Sequence, residues 1–204
     1  MKSVCLVNGS LRGRSASSLV FLNDLAARLV APEFSSSLIG MTPGRSLPLP
    51  TRAFGAMACA DAVVLAFPLF AYCLSGGFVR FLEDYLEYLD SEGGTRSGTR
   101  LYAIVNCGYP DPRITVEALR VVRNFCARAG LEYRFSVAIG CGPAAVMTRK
   151  VPLLNRKINR AWRSIARDIE SPGGGREDIF VRPGIPKAIL LRIKDAYEDK
   201  AWPT

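Results

Sequence analysis

The sequence predicts a doubly wound α/β domain on a parallel sheet, and two observations carry that prediction. Four short apolar runs read as buried strands: SVCLVN (3–8), DAVVLAF (61–67), RLYAIVN (100–106) and EYRFSVAIG (132–140). The second and third are almost continuously apolar, as expected of strands covered on both faces. Amphipathic helical stretches lie between them, giving the order β-α-β-(α)-β-α-β-α-β-α.

Taken in order, the first strand runs into VNGSLRGRSASS (7–18), a Gly-, Ser- and Arg-rich loop. The helical stretch 17–30 follows, with Leu19, Leu22, Leu25, Ala26 and Leu29 on one face. EFSSSLIG (33–40) is a weaker strand that alternates poorly, and the helical slot after it is left unassigned. Beyond strand 61–67 come a helix over 75–90, strand 100–106 and a helix over 114–130. Gly130 stands where a helix C-terminus favours glycine. After strand 132–140, the stretch 152–170 sets Leu154, Ile158, Ala161, Ile165 and Ile169 on a core stripe. Arg156, Arg160, Arg163 and Arg167 share another face of that helix. ESPGGGRED (170–178) reads as a hinge or loop. PKAILLRIKDAYEDKAW (186–202) reads as one more amphipathic helix outside the core, with Ile189, Leu190, Ile193 and Tyr197 on one side. The chain thus divides into a domain over 1–171 and a C-terminal extension over 172–204. No internal repeat is present.

Composition narrows the chemistry. The 204 residues suit one core, and 49% hydrophobic with 22% charged residues fits a soluble globular chain. A net charge of +9 favours anionic partners: a phosphorylated cofactor, nucleic acid or a membrane surface. No apolar run approaches the roughly 20 residues that span a bilayer. The start, MKSVCLVNGS, is too short in apolar residues for a signal peptide, so a cytoplasmic protein is expected. Cys5, Cys59, Cys73, Cys107, Cys126 and Cys141 form no C-x-x-C pair, so no metal site of that spacing and no disulfide framework is expected. The chain has no histidine, which removes Ser-His-Asp and Cys-His catalysis. No side chain stands out as catalytic, and an enzyme built this way leaves the difficult chemistry to a cofactor.

In an open α/β sheet, ligands bind beyond the carboxyl ends of the strands. The first loop leads into a helix N-terminus, whose free N–H groups and partial positive charge suit a phosphate. Serine hydroxyls, Arg12 and Arg14 add donors and charge; a capped turn with solvated arginines is the plainer alternative. A Walker A loop does not fit, because Gly9 to Gly13 is one residue short and Arg14 replaces the lysine. The G-x-G-x-x-G fingerprint is also absent.

A third pattern fits. Gly9-Ser10-Leu11-Arg12-Gly13-Arg14-Ser15-Ala16-Ser17 resembles the phosphate loop of the flavodoxin-like NAD(P)H-dependent FMN reductases and quinone reductases. ADAVVLAFPLFAYCLSGGFVRFLED (60–84) is similar to that family's second loop and helix start, and VNCGYPDP (105–112) to its third loop. Phe70, where Tyr or Trp is commoner, and Ala16, where Asn is common, depart from the pattern. The resemblance covers residues 1 to about 170. It implies a five-stranded parallel sheet of order 2-1-3-4-5 with helices on both faces. It also implies FMN, with FAD as the alternative, held at the phosphate by Ser10, Arg12, Ser15 and Ser17. Pro68, Leu69, Phe70 and Tyr72 would border the ring on one side, and Asn106, Cys107, Gly108 and Tyr109 on the other. NAD(P)H is the implied co-substrate and a flavin, quinone or similar small molecule the acceptor. A homodimer or homotetramer is expected, with no nucleic-acid partner. An electron carrier of the flavodoxin type, or a non-redox binding module using the arginine-rich late helix, are the alternatives; such carriers tend to be acidic, against the positive charge here.

Overall fold

A computed structural model describes residues 1–30, 32–41, 51–92, 94 and 98–186. Six parallel strands form one sheet in the order β2-β1-β3-β4-β5-β6. They are β1 (Lys2–Asn8), β2 (Phe34–Gly40), β3 (Ala62–Pro68), β4 (Arg100–Asn106), β5 (Glu132–Ile139) and β6 (Ile179–Val181). The first five stand in the expected 2-1-3-4-5 order, that of the flavodoxin-like doubly wound sheet. β1, β3 and β4 are buried almost throughout because helices cover both faces.

Alternation along β3 shows how the two layers divide. Val63, Leu65 and Phe67 pack on one side with Phe54, Met57, Phe78, Phe81 and Leu119. These come from α2 (Thr51–Ala58), α3 (Gly76–Glu92) and α4 (Val116–Ala129). Ala62, Val64 and Ala66 face the other way, onto Phe21, Leu22, Ile158, Trp162 and Ile165. Those belong to α1 (Ser17–Ala26) and α6 (Arg156–Glu170). The register aligns the ends of three strands, with Asn8 opposite Ala66 and Pro68 opposite Asn106. Three loops therefore leave the sheet side by side.

Several expectations need correction. The sheet has six strands rather than five, because Ile179–Val181 pairs with Val137–Ile139 of β5. The α1 helix proper ends at Ala26, and its buried face is Ser18, Phe21, Leu22 and Leu25, leaving Leu19 half-buried. The unassigned slot holds α2, and a short helix, α5 (Gly142–Met147), precedes α6. α6 starts at Arg156 rather than at 152. Gly130 does end α4 as expected, in the left-handed region, at φ 67°. β2 alternates poorly because it is an edge strand with only Phe34 and Ile39 buried. The 186–202 helix lies, past Pro186, outside the described residues. Among the described residues no helix is long and apolar enough to cross a membrane.

Candidate functional site

Asn8, buried at the end of β1, organises the first loop. Its Oδ1 accepts the Ser18 hydroxyl at 2.7 Å and the Ser10 N–H at 3.3 Å, and its Nδ2 donates to the Gly13 carbonyl at 3.3 Å. Ser10 is 2% exposed, and its Oγ accepts the Arg12 N–H at 3.3 Å. The loop lies against the start of α3, which only glycine permits: a Cβ on Gly9 would stand 2.6 Å from the Phe78 ring. α1 then begins after Ala16, which has no side-chain oxygen and makes no capping bond. The first N–H groups of α1 have no intrahelical acceptor either, so this end is open to an anion.

The second loop leaves β3 at Pro68 and is tied to the third where the Leu69 N–H meets the Asn106 carbonyl at 2.8 Å. Phe70 and Cys73 exchange two backbone bonds, at 2.8 and 2.9 Å, around Ala71 and Tyr72. Both central residues have positive φ, 45° and 65°, the signature of a type I′ turn. Without glycine such a turn costs on the order of 1 kcal/mol per residue. The turn holds Phe70 64% and Tyr72 60% exposed.

The third loop begins at Asn106, which is 5% exposed. Gly142 packs so closely on it that a Cβ there would fall 2.9 Å from Asn106 Nδ2. Cys107 is buried, and its Sγ donates to the Tyr109 carbonyl at 3.4 Å. Burial pushes this thiol above its ordinary value, only partly offset by that bond, so it stays protonated at neutral pH.

The three loops enclose a cleft of about 420 Å³. Of the anticipated residues, Ser10, Arg12, Ser17, Pro68, Leu69, Phe70, Asn106, Cys107 and Gly108 line it. Ser15 does not: it is exposed, and its hydroxyl donates to the Arg12 carbonyl at 3.0 Å. Tyr72 and Tyr109 also stand outside, facing each other at 6.5 Å between ring centroids. Leu11, Ser75, Gly76 and Pro143 complete the walls. Neither Pro143 nor Asn8 is among the anticipated residues; their signals in the sequence are Gly140-Cys141-Gly142-Pro143 at the end of β5 and a polar residue closing an apolar strand.

Two of the residues lining this cleft, Asn106 and Ser75, each carry a buried polar atom with no hydrogen-bond partner, Oδ1 and Oγ. Gly76 and Gly108 also border it, and a Cβ on either would meet nothing within 4 Å. The cleft thus has a cationic, donor-rich end and an apolar end carrying two unused polar atoms. A flat ring with a phosphate arm fits that pattern. A second groove, of about 620 Å³ between α4 and β6, is less apt. Its Arg123 already pairs with Asp178 and its Arg134 with Asp168.

No protein-family model and no curated protein matches the chain. Solved structures do resemble it. An NADH:FMN oxidoreductase in its apo form aligns at TM-score 0.57 and 17% identity, over 93% of this chain and 99% of that one. The NAD(P)H:quinone oxidoreductase from Methanothermobacter marburgensis aligns at 0.58 and 14% identity, over 83% and 97%. A flavone reductase aligns at 0.60 and 12% identity, over 86% of this chain and 65% of that one. At such identities the likeness is one of architecture: the chain has the flavodoxin-like fold of a group of known oxidoreductases.

Proposed function

We propose that the chain is a flavin-dependent oxidoreductase that binds FMN in this cleft, takes hydride from NAD(P)H and reduces a quinone, flavin or similar small acceptor. The observation that carries the reading is the meeting, in one cleft, of the uncapped α1 N-terminus with the orphaned Asn106 Oδ1 and Ser75 Oγ. The solved structures of like fold that are named as NADH:FMN and NAD(P)H:quinone oxidoreductases agree with it.

Bound FMN would supply the hydride-accepting ring, so a chain without histidine needs no acid or base of its own for that step. The first N–H groups of α1, with Ser10, Arg12 and Ser17, are assigned to the phosphate. Leu69 and Phe70 give flat apolar surface to the ring, and Asn106 and Ser75 offer it hydrogen bonds. The Cys107 thiol, protonated and bonded to Tyr109, packs beside it. Phe70 is exposed rather than folded over the cleft, which leaves room for a nicotinamide to stack at the roughly 3–3.5 Å that hydride transfer requires. A homodimer or homotetramer is part of the reading, and light scattering measures it.

Anaerobic mixing of the FMN-loaded protein with NADH or NADPH, followed by absorbance, tests the reaction. The expected result is direct bleaching of the flavin band and turnover once a quinone is added. FMN bound but reduced by neither nucleotide would make the protein a carrier. Failure to bind flavin would remove the reading altogether.

A further inference from the structure

The surface at the start of α6 combines two features that the cleft does not use. Arg156, Arg160, Arg163 and Arg167 are all exposed, and their spacing puts them on one face over about 16 Å. Neither these four nor Lys157 forms a salt bridge among the described residues. α3 and α4 carry mixed charges by contrast: Arg80 on α3 sits among Glu83, Asp84 and Glu87, and Arg120 on α4 pairs with Glu117. On α6 the exposed carboxylate is Glu170 alone, since Asp168 is fully buried.

Next to this stripe stands a short loop that displays aliphatic side chains. Met147, Val151 and Leu153 are 59%, 46% and 79% exposed, with Arg149 and Lys150 between them, also exposed. The loop is a built feature rather than a frayed end. Asn155, 4% exposed, donates from Nδ2 to the Thr148 carbonyl at 2.7 Å and the Val151 carbonyl at 3.4 Å. The Val151 N–H closes a turn on the Thr148 carbonyl at 2.8 Å. A fixed loop of this kind holds Leu153 out in water, where an isolated protein gains nothing from it.

We propose that this face docks on an anionic phospholipid bilayer, with Val151 and Leu153 entering the headgroup–acyl boundary and the α6 arginines lying along the charged surface. Apolar side chains flanked by exposed cations are what such an interface rewards. A nucleic acid would also meet the arginines, but it gains by stacking bases on aromatic rings, and the exposed apolar residues here are aliphatic. The docking is independent of the redox reading, because it is measured by partitioning and not by turnover. α5 carries Pro143 at the cleft and Met147 at the loop, so the cleft would lie one short helix from the lipid.

Sedimentation of the full chain with vesicles tests the proposal, using phosphatidylcholine alone and phosphatidylcholine mixed with phosphatidylglycerol. Binding is expected to the mixed vesicles only, and to weaken as salt rises. Arg160→Gln and Arg163→Gln should each weaken it about fivefold. Leu153→Ser should weaken it about tenfold. All three positions are exposed, so unchanged circular dichroism is expected and checks the fold. No binding to the mixed vesicles, or full retention by Leu153→Ser, overturns the proposal. Preference for a duplex or single-stranded oligonucleotide over the mixed vesicles, lost in the arginine variants, would overturn it too and give the stripe to nucleic acid.

Discussion

A buried polar atom without a partner costs a folded chain about 1–3 kcal/mol, and two of the residues that carry one, Asn106 and Ser75, line the cleft. Ser75→Ala should therefore leave thermal stability unchanged or slightly raised in the ligand-free protein, while FMN affinity falls about tenfold. A fluorescence titration beside a melting curve checks both halves; lost stability with unchanged affinity would make Ser75 an ordinary helix-start residue. Asp168 is the opposite case, a fully buried carboxylate with every oxygen engaged. It accepts the Tyr102 hydroxyl at 2.8 Å and Arg134 Nε and Nη2 at 2.9 and 3.1 Å, while its carbonyl takes Arg100 Nη1 at 2.8 Å. Burial pushes this carboxyl up, but Arg134 and Tyr102 together outweigh it and hold it below the ordinary 3.8. A folded-state value below the unfolded one means that the contribution is complete above about pH 4 and is lost as pH falls through the folded value. Asp168→Asn removes the buried counter-ion of Arg134, which keeps only the exposed Glu132 at 2.7 Å, and should cost about 3 kcal/mol at neutral pH. It should also flatten the acid limb of stability against pH, which urea unfolding across pH measures.

At the scale of elements, the open end of α1 is where stability and binding meet. Ala16 cannot cap the helix, so an anion at that end does what a capping side chain does elsewhere. FMN at a hundredfold excess over its dissociation constant should stabilise the protein by about 2.7 kcal/mol. For a chain of this size that is about 5–10 °C in melting temperature. Riboflavin, the same ring without phosphate, should give a much smaller rise at equal concentration. Equal shifts would mean that the α1 end is not the phosphate site. These elements were legible because long apolar periodicities report burial directly: the strands at 3–8, 61–67, 100–106 and 132–140 and the helices between them are all present. The cleft was legible for a related reason, since loops at aligned strand ends share one space. What escaped was short or set by distant contacts. β6 has three residues, too few for any periodicity, and α5 has six. Ser15 read as a phosphate donor from the loop's resemblance to a family pattern, but the 3-10 turn of Gly13–Ser15 directs its hydroxyl to the Arg12 carbonyl. The left-handed Ala71 and Tyr72 could not be foreseen, because neither residue type announces a type I′ turn.

For the molecule as a whole, the last described segment closes the sheet. Asp178 accepts the Tyr133 hydroxyl at 2.7 Å and the Ser136 N–H at 2.8 Å and pairs with Arg123. Val181 is 2% exposed, and Arg182 meets Asp111, in the third loop of the cleft, at 2.5 Å. These contacts join α4, β5 and the cleft loop to a stretch whose SPGGG sequence would otherwise be free to wander. Without β6, the buried residues Val137, Ala138 and Ile139 would form an open apolar edge, the kind that pairs with other chains. Truncation after Gly175 should therefore lower the melting temperature by more than about 5 °C, since it removes more than 2 kcal/mol of contacts. It should also promote aggregation on heating, seen as rising light scattering. The chain truncated after Pro186 keeps β6 and the Asp178 cluster and should melt higher and aggregate less than the one truncated after Gly175. Equal melting temperatures for the two truncations would mean that β6 only decorates the sheet. A loss in both would move the stabilising contacts beyond Pro186.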